Sequence, residues 1–436
     1  MANSNAVAVS ISDFHIGENL GGVSGKVGVN SIEFYKNIAE NVYVRKEFLT
    51  LLSKLEEQFG VKNGDDKIKY LIIMGDNWDL AVQPMEYSFD LSLRFFSSIG
   101  LEKYFDEIIY IPGNHDHHIW RMLQSHICVE APLKNIFENV QKRDPTSNKI
   151  IPYPQVVPGY LDLTTSNFTM GGDPIFSGPS DIVSGLTGSA HIPITTVYPN
   201  LYLFYEDINK NRRTILATHG HLFDGDWLLV TDYLGFIFET MGETMNLKDI
   251  EKLNSTVTEF WNYQWSQMGR YDLVDKLYDS SLQQKIYAGL MPDINKLLQE
   301  LFAQIDITGL AEDLAAGLCK LIINVILKKA FSNQYYADYD IKFIDGRVDK
   351  LTDFINMSIT SITKEQPSVQ SISKLLFGHT HAPAATPFCN VKAGADMEIY
   401  NTGGWVNIGK YNYPAPLAIS RDGKITPIDI IEPLKD

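Results

Sequence analysis

Six of the ten histidines in this 436-residue chain fall inside five short clusters rich in Asp, His and Asn. The clusters are Ser12-Asp13-Phe14-His15, Gly75-Asp76-Asn77-Trp78-Asp79, Gly113-Asn114-His115-Asp116, Thr218-His219-Gly220-His221 and Gly378-His379-Thr380-His381. His117 and His118 adjoin the third. Neutral imidazole, carboxylate and amide oxygen in combination suit borderline divalent ions such as Mn, Fe, Zn, Co or Ni, whereas an all-oxygen set would indicate Mg or Ca. Asp-x-His in extended backbone projects both side chains to one side, because residues i and i+2 share a face. His-x-His repeats that arrangement far along the chain. The residue types therefore predict a metal centre.

Each cluster ends an apolar run: VAVSI, YLIIM, IIYIP, TILA and KLLF. Runs of this kind read as strands buried on both faces, and functional groups in open α/β sheets gather at the carboxyl ends of strands. Helical spacing over residues 41–59 places Phe48, Leu51, Leu52, Leu55 and Phe59 on one face, a second helix spans about 86–98, and a third follows His117 toward Cys128. Residues 171–193, rich in Gly, Pro and Ser, read as loop. Further strands follow at VYPNLYLFYE, RRTILATHG, EIYNTG, PLAIS and KITPIDII. The fold class is thus α/β, or α+β.

Residues 226–360 carry long helical patterns without site-like clusters. In LAAGLCKLIINVILKKAF, Leu314, Leu318, Leu321, Ile322, Val325 and Ile326 form one stripe. The site motifs resume afterwards, so this span reads as a helical insertion, or cap, within a domain made of residues 1–225 and 361–436.

Lys and Arg number 37 against 53 Asp and Glu, a net charge of −16, which gives no footprint for a nucleic-acid polymer or an anionic membrane surface. Three scattered cysteines without CxxC argue against a disulfide framework or cysteine zinc site. The first fifteen residues lack a basic n-region, and no apolar stretch approaches a membrane span. The expected location is cytoplasmic, with no transmembrane segment. Gly17 to Gly28 is glycine-dense but lacks the P-loop order.

D-x-H, G-D-x-x-D, G-N-H-D, a lone His-Gly and G-H-T-H, in that order, resemble the calcineurin-like metallophosphoesterases. The resemblance runs from Asp13 to His381 and implies a two-sheet sandwich flanked by helices. It also implies a dinuclear centre, most commonly of Mn, Fe or Zn, with Co or Ni serving in vitro. Asp13, His15 and His381 would hold one ion; Asp76 would bridge; Asn114, His219 and His379 would complete the second. His115 would protonate the leaving oxygen or steady the transition state, and Asp79 would orient His115. Two carboxylates and one hydroxide against two divalent ions leave about +1 locally, so an acidic protein can still present a positive site to phosphate. The implied activity is that of a hydrolase, a phosphatase or phosphodiesterase, cleaving a phosphate mono- or diester with metal-activated hydroxide.

Leu80 stands where the Ser/Thr phosphoprotein phosphatases carry Arg. Gly-His-Thr-His-Ala-Pro, Tyr400-Asn401-Thr402-Gly403-Gly404-Trp405-Val406 and Ser12-Asp13-Phe14-His15-Ile16-Gly17 are similar to the branch containing the UDP-2,3-diacylglucosamine hydrolases, although His115 replaces the Arg of the lipid A enzyme. That likeness directs attention to nucleotide-linked or lipidic phosphodiesters and pyrophosphates. The insertion is either an apolar lid over such a substrate or a surface that packs on itself or on a second copy. His117, His118 and Arg121 either contact substrate or begin a solvated helix; Asp116 is either part of the site or a helix N-cap; His221 reads as lying behind the ligands or on the surface. A catalytically silent scaffold that uses the insertion for protein interaction is the alternative from a different class.

Overall fold

A computed structural model of the chain describes residues 6–16, 46–61, 66–81, 85–130, 133–134, 156–171, 178–188, 191–223, 258, 354–360, 363, 371–381, 397–405 and 413–430. The insertion lies almost wholly outside these residues. Strand β1 (Ala6–Ile11) leads to helix α1 (Lys46–Phe59), β2 (Ile68–Met74), α2 (Met85–Ile99), β3 (Phe105–Ile111) and α3 (His117–Ser125). Then come the hairpin β4 (Gly159–Asp162) and β5 (Asn167–Met170), the short helix α4 (Asp181–Gly185), β6 (Ile194–Thr196), β7 (Asn200–Glu206) and β8 (Arg212–Thr218). β9 (Lys374–Phe377), β10 (Glu398–Asn401), β11 (Leu417–Ser420) and β12 (Ile425–Pro427) complete the described elements.

The strands form two mixed six-stranded sheets, ordered β12-β11-β1-β2-β3-β6 and β10-β9-β8-β7-β4-β5. β1, β2, β3 and β6 are mutually parallel in the first, as are β8, β9 and β10 in the second. One apolar cluster takes Val7, Ile72 and Ile109 from the first sheet and Leu161, Leu203, Ile215 and Leu376 from the second, so the sheets face each other across a shared core. Phe48, Leu51 and Leu55 of α1 and Phe95 and Phe96 of α2 cover the other face of the first sheet. On the second, Leu216, Leu375 and Ile399 meet Phe354 and Ile355 from a helical stretch at 354–360. With both faces covered, the central strands must read as continuous apolar runs rather than alternating ones. The arrangement is an α/β sandwich.

Two local expectations change. The segment read as loop contains α4, started by Ser180, whose Oγ accepts the Val183 N–H at 3.4 Å; five residues are too few to show helical periodicity. The β4–β5 hairpin had no clear sequence signal, because its strands are four residues long and β5 lies at a sheet edge. Among the described residues, no helix is long and apolar enough to cross a membrane.

Candidate metal centre

The five clusters meet at the carboxyl ends of β1, β2, β3, β8 and β9, but not by strand alternation. Asp13, His15, Asp76, His379 and His381 lie just beyond their strands in left-handed backbone, with φ of 56°, 50°, 50°, 64° and 56°. Side chains other than glycine hold this conformation at a cost of about 1–3 kcal/mol each, and persist there only where the surroundings over-determine them. Here the loops hold one another. Asp13 N–H donates to the Gly75 carbonyl at 3.0 Å, His15 N–H to Asp76 at 2.8 Å, and Asp79 N–H to Ile16 at 2.9 Å. Between the sheets, Trp405 N–H donates to Asp13 at 3.1 Å. Close approach also explains two motif glycines: a Cβ on Gly75 would strike the His219 ring, and one on Gly378 would strike the Ser12 and Asp13 side chains.

Two groups of donors result. Asp13, His15 and His381 form one, and Asp76, His219 and His379 the other, each with its donor atoms within 4.8 Å of one another. Asp76 joins them, its Oδ2 lying 3.2 Å from His219 Nε2 and 3.7 Å from His15 Nε2. His219 Nε2 also lies 3.0 Å from Asn114 Oδ1. A His115 nitrogen falls within the same reach of His15 and Asp76, so His115 faces the space between the groups. The side chains of His115 and His381 are 24% and 22% exposed while Asp13, Asp76, Asp79, His15 and His219 are 4% or less, which sets the solvent-facing side of the site.

The donor chemistry fits a cation. His219 Nδ1 lies 2.8 Å from the Met74 carbonyl and so carries a proton, which turns Nε2 toward two oxygen acceptors. Without a metal that nitrogen must hold a second proton: burial works against it, but the Asp76 and Asp13 charges raise His219 to about 9. Burial alone would raise the three carboxylates as well, yet the neighbouring imidazoles, His219 and His115 foremost at Asp76, His115 at Asp79 and His381 at Asp13, hold all of them below their ordinary range. His115 is raised against its burial by Asp79 and Asp76. The buried His/Asp constellation can therefore hold a metal ion, with Asp13, His15, His381, Asp76, His219, His379 and Asn114 as the donors within reach.

Asp79 does more than its sequence position implied: its Oδ1 lies 3.1 Å from His115 Nδ1 and its Oδ2 3.2 Å from His15 Nδ1. Asp116 occupies the N-cap position of α3 but its side chain makes no cap bond; its buried carboxylate accepts Gly113 N–H and Asn77 N–H, each at 2.7 Å, and so ties the second cluster to the third. Burial, then the Asp76 charge, raise Asp116 to about 6. His117 and His118 do not begin a solvated helix, since both are buried. Burial lowers them to about 3 and about 4, and among the described residues His117 has no hydrogen-bond partner for either ring nitrogen. Arg121 is half-buried and donates to Gln124 at 3.1 Å. His221 is buried behind the donors, its ring 5.2 Å from that of His219 and 6.2 Å from that of His379. Sequence reasoning missed Ser12 and Asn401 as parts of the site. Their signal was adjacency: each lies within a stretch quoted for its likeness to the hydrolase branch.

No protein-family model matches the chain, and no curated protein matches it in sequence.

Proposed function

We propose that the protein is a phosphohydrolase of calcineurin-like type, with two divalent ions held by the two donor groups. The observation that carries this reading is Asp76, a single buried carboxylate 3.2 Å from His219 Nε2 and 3.7 Å from His15 Nε2, and so in reach of both sets of donors. The two facing sheets with the site at their strand ends support the sandwich expected of such an enzyme, and the helical cap belongs to the same reading. When bound, the ions would supply activation of water and neutralisation of the phosphoryl oxygens.

The chain's own residues supply the rest. His115 gives its Nδ1–H to Asp79 Oδ1, so the proton on Nε2 is the one available to a leaving oxygen. Burial works against a charge on His115, but Asp79 and Asp76 shift the ring toward its charged form. Its partial exposure puts it where a substrate oxygen can arrive. Phosphate esters of mono- or diester type, including nucleotide-linked and lipidic ones, fit this chemistry. Elemental analysis beside hydrolysis of p-nitrophenyl phosphate and bis-p-nitrophenyl phosphate with added Mn tests it. About two ions per chain with turnover is the expected result; a chain that takes up no ion and turns over neither ester sinks the reading.

A further inference from the structure

The end of β10 and the residues after it form a second frame for the donors, beside β9 in the same sheet. Asn401, the last residue of β10, is buried and uses all of its side chain. Its Nδ2 donates to the Gly378 carbonyl and to Thr380 Oγ1, both at 2.9 Å, and its Oδ1 accepts Gly403 N–H at 2.7 Å. The two donated bonds bracket His379, the residue between the two anchors and one of the two histidines in left-handed backbone on this turn. The next residues extend the frame to the first sheet. Thr402 N–H donates to Phe377 at 3.0 Å, Thr402 Oγ1 lies 2.5 Å from Ser12 Oγ, and Ser12 Oγ in turn donates to Asp13 Oδ2. His379 N–H completes the circuit by donating to both Asp13 oxygens, at 3.1 and 2.9 Å.

We infer that Asn401 is a positioning residue that holds the His379-Thr380-His381 turn in its metal-binding shape, so that its amide, though no ligand itself, sets the affinity of the centre. The inference rests on the metal-centre reading above. An imidazole in strained backbone is a good ligand only while its neighbours are held, and Asn401 holds the peptide carbonyl before His379 and the side chain of the residue after it. Groups that orient ligands from behind usually control affinity about 10–100-fold.

The test uses the full-length chain stripped of metal and titrated with Mn against a chromophoric chelator. Asn401→Ala is expected to bind Mn about 10–100-fold more weakly than the parent. Thr380→Ala, which removes one accepting atom, is expected to lose less, and the double variant no more than Asn401→Ala alone, because both act through one clamp. Unchanged Mn affinity in Asn401→Ala, with only a lower melting temperature of the stripped chain, overturns the inference and leaves the metal centre standing. Should Asn401→Ala not fold, Thr380→Ala decides alone, an unchanged affinity again counting against the clamp. A parent chain that binds no Mn overturns both readings together.

Discussion

Asp79 holds His115 at 3.1 Å through one carboxylate oxygen while its other oxygen holds His15 at 3.2 Å. One buried group therefore orients both the candidate proton donor and a candidate metal ligand. This coupling separates two variants that would otherwise look alike. His115→Gln should lower kcat about 10²–10⁴-fold and leave the metal content at the parent level. Asp79→Asn should lower both, because the two imidazoles bond different carboxylate oxygens and one of those becomes an NH2 that cannot accept. Elemental analysis beside initial rates on bis-p-nitrophenyl phosphate distinguishes them; full metal content in Asp79→Asn would show that His15 needs no such support.

Asp76 is the joint between the two donor groups, and its loss should be felt in both. In Asp76→Asn the negative charge that neutralises a cation is gone, while one oxygen acceptor remains for the His115 N–H now 2.9 Å from Oδ1. Mn uptake should fall below two ions per chain and hydrolysis by more than about 100-fold, exceeding the effect of groups that act only from behind the ligands. A variant with both ions and parental rates would refute the shared-carboxylate assignment.

Much of the site could be read from the chain because strands buried on both faces must be continuous apolar runs, and each such run here ends in its cluster. The side-chain directions could not. Asp13 and His15 were expected to share a face of extended strand, yet both turn inward through left-handed backbone that no period predicts. Ser12 and Thr402 meet across 390 positions of sequence, and Asn401 reaches Thr380 across the gap between neighbouring strands. The first contact exists only once the two sheets face each other, and the second only once β9 and β10 are paired. Asp116 had two readings, part of the site or a helix N-cap, and it stands at the N-cap position while its carboxylate turns to the Asn77 N–H of another cluster, which a local rule could not decide.

Gly75 makes the close packing of the loops testable through stability. Its φ of 80° and the His219 ring above it both exclude a side chain. Gly75→Ala should destabilise the fold by at least about 1–3 kcal/mol, the strain of a left-handed residue, with the steric displacement of His219 added. Chemical denaturation of the metal-stripped chain measures the first part, and Mn affinity reports the second. Stability and affinity both equal to the parent would mean that Gly75 and the His219 ring are not in close contact.

The proton on His219 is the group a metal must displace, and it fixes the direction of a pH effect. His219 stands at about 9 against an ordinary value of 6.5, despite its burial and because of Asp76. A raised imidazole pKa stabilises the folded chain fully below 6.5 and loses that contribution as pH climbs through about 9. Against its burial, His115 is shifted in the same direction by Asp79 and Asp76, so its effect has the same sign. The lowered carboxylates act at the other end: their contribution is present above 3.8 and lost as acid protonates them. The metal-stripped chain should therefore melt at a lower temperature at pH 9 than at pH 6.5. Mn affinity should rise over the same interval, because fewer protons remain to be released. Thermal melts and chelator competition at the two pH values measure both quantities. A stripped chain that melts no lower at pH 9, with Mn affinity flat between the two, would mean that His219 does not carry its proton against Asp76.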